Sequence, residues 1–271
     1  MRIICGTDFS ERGRQAAEVA ALLAARSGGR MTLLHALDAR GGGLGAAHVL
    51  QTLETAARER LDDEARHLRA LGAAVDVIIP DGWPDEAVLA DAARHDNSIV
   101  VLSATGARDG AGVSVGKTCE RTLSRTTVPM LVVRDPAPLV EWLRGERTLR
   151  VLVAFDFSVQ SASALAFAAR VAKLGPSTII AAYTADPRRE ASRMGLQDSP
   201  DAVQERVRLA LAERVAQLEP ELAVDIFVAP HQGDPGARLA HLAERESIDL
   251  MISGTHQRGA LQRLFTGSVS L

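Results

Sequence analysis

The chain is poor in aromatic residues and cysteine and has no excess of positive charge, and each shortage excludes a class of protein. Phe, Trp and Tyr make up only 3% of the 271 residues, so the core must be built from Ala, Val, Leu and Ile. That mixture suits buried parallel strands covered by helices. The formal net charge is −3 and no basic stripe stands out in the sequence, so we expect no binding to nucleic acid through phosphate contacts.

Two further shortages concern disulfides and membranes. Cys5 and Cys119 are too few and too far apart to form a disulfide framework or a zinc site. No apolar run approaches the roughly 18 residues that a membrane span needs. The apolar run at the N-terminus is also too short for a signal peptide. We therefore expect a soluble, cytoplasmic protein that does not contact a membrane.

What the chain does contain is an internal repeat. RIICGTDFSERGRQAAEVAALLAA in the first half matches RVLVAFDFSVQSASALAFAARVAK in the second: an apolar run, the triplet Asp-Phe-Ser and an Ala-rich helical pattern. Asp8 and Asp156 lie 148 positions apart, and the later pair Pro84 and Pro235 lies 151 apart. A drift of three residues fits a loop insertion, so the chain carries two copies of one unit.

The repeat predicts two domains, 1–135 and 149–271, joined by a linker at 136–148 where prolines and charges interrupt the pattern. Apolar runs alternate with helical patterns in each copy, which indicates parallel strands joined by right-handed crossovers. The predicted fold class is α/β, with two tandem open parallel-sheet α/β sandwich domains of Rossmann-like type. Ligands of such sheets bind at the carboxyl ends of the strands, where the strand order reverses.

In the first copy, strands are predicted near 3–6, 31–35, 75–79, 99–103 and 130–133. Helices are predicted near 11–25, 47–71, 85–95 and 117–124. The second copy stops earlier in the pattern, because the counterpart of Val133 would fall 13 positions beyond Leu271. We expect the second domain to lack its last helix and strand. The apolar strand Val128–Val133 then keeps an open edge, which predicts a homodimer or higher oligomer.

The stretch AGVSVGKT, residues 111–118, ends like a phosphate-binding P-loop. Its first glycine is replaced by Ala111, and the segment ATGARDG separates it from the strand that ends near Ser103. A P-loop instead follows its strand directly and leads into a helix. We therefore favour a Gly-rich loop followed by the start of a helix over a P-loop NTPase.

The equivalent stretch of the second copy, DLMISGTHQRGALQRLFTGSVSL, resembles the universal stress protein family, which carries a G-x2-G-x9-G-[ST] loop after its fourth strand. Gly254 matches the first glycine, Gln257 replaces the second, and Gly267-Ser268 follows nine residues later. The acidic residue after each first strand, the Gly-Asp-Pro turn at 233–235 and the VPMLVV strand add to the resemblance. It covers nearly all of both copies and implies a tandem member with an adenine nucleotide alpha hydrolase-like fold.

The loop of the first copy departs from the family pattern. Gly106 and Gly116 keep the Gly-x9-Gly spacing, but the first glycine is then Ser103 and the final serine is Lys117. An alternative alignment places Ala104 opposite the first glycine of the second copy, with one residue deleted.

The resemblance implies a stress-response protein that binds ATP, with Mg²⁺, or a related adenine nucleotide as a regulatory ligand. Loop N–H groups and a helix N-terminus would face the phosphates, and the acidic residue would lie at the adenine and ribose end. Carried over by position, the implied site residues of the second domain are Asp156, Gly254, His256, Gln257, Arg258, Gly267, Ser268 and Val269. Those of the first domain are Asp8, Gly106, Gly116, Lys117 and Thr118.

Two other functions stay open. The degenerate loops favour a family member that binds no nucleotide and acts through protein contacts. An enzyme is disfavoured, beyond a slow ATPase, because no nucleophile and base form a recognisable constellation. The Ser-Gly-Gly of an ATP pyrophosphatase would follow the first strand, whereas Ser27-Gly28-Gly29 precedes the second. We interpret His35 as a hydrogen-bonded residue at a strand end, and no histidines have the spacing of a metal site.

Overall fold

The computed structural model describes residues 1–37, 46–107, 115–185, 199–230 and 234–254. These residues form two compact units that divide after Arg144. Each unit is built on one parallel β-sheet, and the fold class predicted from the repeat is confirmed.

The sheet of the first unit has five strands: β1 (Arg2–Gly6), β2 (Arg30–Leu34), β3 (Ala74–Ile78), β4 (Ser98–Ser103) and β5 (Met130–Val133). Its helices are α1 (Glu11–Arg26), α2 (Ala46–Ala70), α3 (Pro84–Ala92), α4 (Lys117–Arg125) and α5 (Ala137–Arg144). The strand order is β3-β2-β1-β4-β5, and all neighbouring strands are parallel.

The core of the first unit follows from its aliphatic composition. Ile3, Ile4 and Cys5 in the central strand β1 are completely buried, as expected for a strand covered on both faces. The alanines of α1 let that helix approach the sheet closely, and five of them are buried. Helix α1 contacts α2 and α5, whereas α3 contacts α4. The two groups cover opposite faces, because right-handed crossovers run in opposite directions from the sheet centre.

The second unit repeats this plan with the four strands β6 (Leu149–Ala154), β7 (Ser177–Ala185), β8 (Val224–Pro230) and β9 (Leu250–Ser253). Its helices are α6 (Val159–Ala172), α7 (Pro200–Leu218) and α8 (Pro235–Arg245). The order β8-β7-β6-β9 reproduces β3-β2-β1-β4 of the first unit. Residues after Gly254 lie outside the described part of the chain.

Two local features differ from the sequence expectations. Helix α3 ends at Ala92, three residues before the predicted end, because the N–H groups of Arg94 and His95 turn back three residues to Asp91 and Ala92. The second difference is α5, a helix inside the predicted linker. Its apolar side packs on α1 and buries Leu139, Trp142 and Leu143.

Candidate functional site

The candidate site of the first unit lies where β1 and β4 end side by side. From β1 the chain crosses to β2 on one side, and β4 lies on the other side, so the strand order reverses between β1 and β4. Loops that follow two such strands diverge and leave a crevice for ligands. Asp8 follows β1, and the segment 104–107 follows β4.

Asp8 is held in a fixed turn at the start of α1. Its Oδ1 accepts hydrogen bonds from the backbone N–H of Ser10 at 3.0 Å and from the Ser10 hydroxyl at 2.5 Å. The Ser10 Oγ in turn accepts from the N–H of Gly13 and caps the helix. Between them Phe9 has a φ of 61°, and its N–H donates to Thr7 Oγ1 at 3.1 Å. The triplet Asp-Phe-Ser therefore encodes a turn that aims a carboxylate across the crevice.

Two contacts bridge the crevice. Asp8 Oδ2 accepts the N–H of Ala107 at 2.6 Å, and Arg12 in the first turn of α1 donates through Nη1 to Thr105 Oγ1. Burial alone would raise the pKa of Asp8, but the hydrogen bonds from Ser10 and Ala107 together lower it below its usual value. Asp8 is therefore ionised at neutral pH and fixed against the loop that follows β4.

The start of α4 completes this end of the sheet. The N–H of Gly116 donates to the carbonyl oxygen of Ala104 at 2.7 Å, which brings the helix N-terminus to the end of β4. Gly116 is the N-cap residue and supplies no side-chain cap, and the side chain of Lys117 is exposed. Thr118 lies one residue further into the helix, where its carbonyl oxygen accepts from Thr122. The structure thus gathers Asp8, the segment 104–107 and the start of α4 at one edge.

Three residues that the sequence did not single out also belong to this edge: Arg12, Gly13 and Ala107. A Cβ on residue 13 would lie only 2.8 Å from Asp8 Oδ1, so the Asp8 turn requires glycine there. A glycine that interrupts an Ala-rich helical pattern was the available signal. Arg12 and Ala107 act through contacts with residues 93 and 99 positions away, which no local pattern shows.

The second unit repeats the acidic turn. Asp156 Oδ1 accepts the N–H of Ser158 at 3.0 Å, Ser158 caps α6, and Phe157 has a φ of 63°. Burial would raise the pKa of Asp156, but hydrogen bonds from Ser158 and Ser161 lower it below its usual value. The same triplet has therefore folded into the same turn in both copies.

Gly254 is the other site residue of the second unit that can be described. It follows β9 directly, and a Cβ on it would lie 2.6 Å from the Cβ of Gln160 and 2.7 Å from its carbonyl carbon. Glycine is needed here because the first turn of α6 packs against the end of the strand. The six remaining predicted residues lie outside the described part of the chain: His256, Gln257, Arg258, Gly267, Ser268 and Val269.

Strand register distinguishes the two alignments of the loops. Cys5 pairs with Val101 in the first sheet, and its counterpart Val153 pairs with Ile252 in the second. Two residues further along, Ser103 therefore corresponds to Gly254. The register favours the alignment that keeps Gly106 and Gly116 in the family spacing over the one that uses Ala104.

A groove between α1 and α2 lies beside the Asp8 turn. Its volume is about 380 Å³, and the lining includes Phe9, Arg60 and Glu64. The guanidinium of Arg60 lies 4.2 Å from the centre of the Phe9 ring. The centre of the His35 ring lies 4.3 Å from the same point. His35 Nδ1 also hydrogen-bonds the carbonyl oxygen of Thr7 at 2.8 Å. His35 is thus a hydrogen-bonded strand-end residue.

The described residues contain no candidate metal site and no candidate membrane span. Within them, no three His, Cys, Asp or Glu side chains come together as potential metal ligands. No helix in this part of the chain is both long and apolar enough to cross a membrane.

The model of the universal stress protein family matches residues 1–134 and again 148–271. The stress response protein NhaX of Bacillus subtilis (strain 168) is 29% identical over 150 residues, which cover 45% of this chain and 88% of NhaX.

One solved structure shows the same fold over nearly the whole chain. A universal stress protein from Archaeoglobus fulgidus DSM 4304 is 16% identical and has a TM-score of 0.72, with 99% of this chain and 95% of that chain covered. At this identity the likeness shows the fold. A universal stress protein solved in complex with cAMP is 22% identical over 49% of this chain and 97% of its own, with a TM-score of 0.41.

Proposed function

Because this chain belongs to the universal stress protein family, with one copy of the family's domain in each half, we propose that it binds an adenine nucleotide as a regulatory ligand. ATP, bound together with Mg²⁺, is the leading candidate. One observation carries the proposal: the ionised Asp8 faces the glycine-containing loop across the point where the strand order reverses. Open α/β sheets bind their ligands at that point.

The residues of the first domain fit the two ends of such a ligand. Asp8 supplies an acceptor for the hydroxyl and amino groups of ribose and adenine. The N-terminus of α4 at Gly116 carries a partial positive charge, and Lys117 adds a full one, which suits phosphate groups. Mg²⁺ would be held by the phosphates, because no three carboxylates meet among the described residues.

The second domain offers the same acidic turn at Asp156 and glycine at position 254. We extend the proposal to it, with the loop residues through Val269 at the phosphate end. A regulatory ligand needs only binding, so catalytic groups are not part of the proposal. We also propose that the protein acts in the cytoplasm as a homo-oligomer, in which β5 pairs with a second copy.

One observation favours a second candidate, a family member that works by protein contacts alone. The Asp8 carboxylate already accepts the Ala107 N–H, so a donor of the first-domain loop is occupied without a ligand. Ser103 also places a side chain where Gly254 stands in the second domain. Nucleotide binding would have to replace or accommodate both features.

Isothermal titration with ATP separates the two candidates. We expect binding to the wild-type chain, and Asp8→Asn should weaken the first-domain site because the amide cannot replace an ionised acceptor. Asp156→Asn should do the same in the second domain. Thr184→Ser, a change at the end of β7, serves as a control that leaves both carboxylates intact. The proposal is wrong if ATP, ADP and AMP all produce no heat of binding at millimolar concentration.

A further inference from the structure

We propose that Arg12 sets the phosphate specificity of the first domain. Its guanidinium binds the phosphate groups of the nucleotide, so that affinity rises with the number of phosphates. The inference rests on the proposed nucleotide function and adds to it a residue outside the family loop.

Arg12 lies at the start of α1 and contacts the segment that follows β4. It is the second residue of α1, and its Nη1 donates a hydrogen bond to Thr105 Oγ1. Thr105 is buried and lies between the end of β4 and Gly106. The guanidinium therefore extends from α1 across the crevice and ends over the loop that is proposed to receive the phosphates.

The planar guanidinium of Arg12 is suited to binding a phosphate group. A guanidinium has five N–H donors in one plane, and the bond to Thr105 uses one of them. That bond fixes the direction of the plane and lowers the entropy lost when further donors engage a phosphate oxygen. Arg12 is also exposed, so a ligand entering the crevice from solvent can reach it.

Asp8 and Arg12 bring opposite charges to the loop that follows β4. Asp8 is ionised, and its carboxylate contacts Ala107, two residues beyond Thr105. A polyphosphate brought to this loop would be repelled by that carboxylate. Arg12 provides a cation on the same short segment and offsets the repulsion, while Lys117 lies at the start of α4. The number of phosphates should therefore matter more with Arg12 than without it.

The second domain provides an internal comparison. The residue equivalent to Arg12 is Gln160, which is neutral, and its backbone packs against Gly254. In the first domain Ser103 stands at the position of that glycine. The two copies thus differ in the charge that the first helix presents to the loop.

The test is a set of titrations with adenosine, AMP and ATP on the Asp156→Asn chain, so that the first domain is measured. Arg12→Gln copies the second domain and should weaken ATP binding about 10-fold or more, as the loss of a charge-assisted hydrogen bond implies. Adenosine binding should change less than about 2-fold, since it lacks phosphate. Arg12→Lys should recover part of the ATP affinity. Arg14→Gln, on the same helix but paired with Glu11, is the matched control.

Three results would overturn the inference. Arg12→Gln could leave ATP affinity unchanged, or it could lower adenosine and ATP affinity by the same factor, as a structural role of the Thr105 contact would. In both cases nucleotide still binds and the proposed function survives. If the Asp156→Asn chain binds none of the three ligands, the inference fails. The proposed function fails with it only if the wild-type chain, titrated in parallel, also binds none of them. Equal melting temperatures of Arg12→Gln and Arg14→Gln would show that unfolding does not cause the difference.

Discussion

At the scale of single residues, Glu64 on α2 has an unusual environment behind the Asp8 turn. Its Oε2 accepts a long hydrogen bond of 3.5 Å from Thr7 Oγ1, and its buried Oε1 has no hydrogen-bond partner among the described residues. Burial raises the pKa of Glu64, and the negative charge of Asp8 acts in the same direction. The Thr7 hydroxyl and the cations Arg14 and Arg60 oppose the rise without cancelling it.

This environment predicts a pH-dependent cost of ionising Glu64. Because its pKa is higher in the folded than in the unfolded chain, its favourable contribution is complete below the ordinary pKa of 4.5 and is lost as the pH rises through the raised value. Glu64→Gln, which cannot ionise, should therefore gain stability relative to wild type as the pH rises across that window. Urea unfolding of both proteins between pH 4.5 and 8 measures the difference.

Glu59→Gln is the control for this experiment, since Glu59 is an exposed carboxylate on the same helix. It removes a carboxylate that faces solvent and so shows how much of any change comes from placing an amide on α2. A constant difference between Glu64→Gln and wild type at every pH would contradict the account of Glu64.

At the scale of elements, the packing of α6 on β9 depends on one glycine. The first turn of α6 lies so close to Gly254 that a Cβ would meet the Gln160 backbone at under 3 Å. Gly254→Ala should destabilise the second domain by about 1–3 kcal/mol, the usual cost of overpacking. Hydrogen exchange followed by peptide should then speed up in α6, β6 and β9 and stay unchanged in the first domain.

Ser103→Ala, at the equivalent position of the first domain, is the matched control because it adds no atom. It should leave hydrogen exchange in β4 and α1 close to that of wild type. Unchanged exchange in α6 of the Gly254→Ala variant would show that this contact can relax without cost.

Some helices, strands and turns could be predicted from the sequence, and others could not. Strand β5 begins and ends as predicted, because an apolar run bounded by Pro129 and Arg134 leaves little choice. The Asp-Phe-Ser turn is local as well, since its hydrogen bonds span only two or three residues. Helix α5 was missed because it has eight residues and starts among prolines. Its apolar side is explained only by packing on α1.

The candidate site also combines residues that could be identified from the sequence with residues that could not. Asp8 could be identified by comparing the two copies of the repeat, and the spacing of Gly106 and Gly116 by its resemblance to the family loop. The roles of Arg12 and Ala107 could not, because their partners lie 93 and 99 positions away and meet them only after the sheet forms. Tertiary contacts of this length leave no periodic signal in the sequence.

At the scale of the whole molecule, the open edge of β5 is the feature that bears on assembly. Among the described strands β5 pairs only with β4. The carbonyl oxygen of Pro129 accepts from Val100 of β4, and that of Val133 accepts from Ala104, the residue after β4. The alternate residues Met130 and Val132 therefore direct their backbone groups to the open edge. An edge of this kind can pair with a second chain.

We expect a homodimer that Val132→Pro disrupts, since proline removes the outward N–H while the bonds to β4 remain. Light scattering coupled to size-exclusion chromatography measures the mass. Val132→Thr keeps the N–H and should remain dimeric. A wild-type chain that is monomeric at the highest concentration tested would refute assembly through this edge.

The central claim, that the tandem chain carries an adenine nucleotide, is tested most directly by what the protein retains on purification without added ligand. The protein is denatured, and the supernatant is analysed by chromatography against nucleotide standards. The account predicts adenine nucleotide in proportion to protein, with less from Asp8→Asn and Asp156→Asn chains. An empty supernatant, together with no rise in melting temperature when ATP is added, would contradict it and favour a protein that acts through protein contacts.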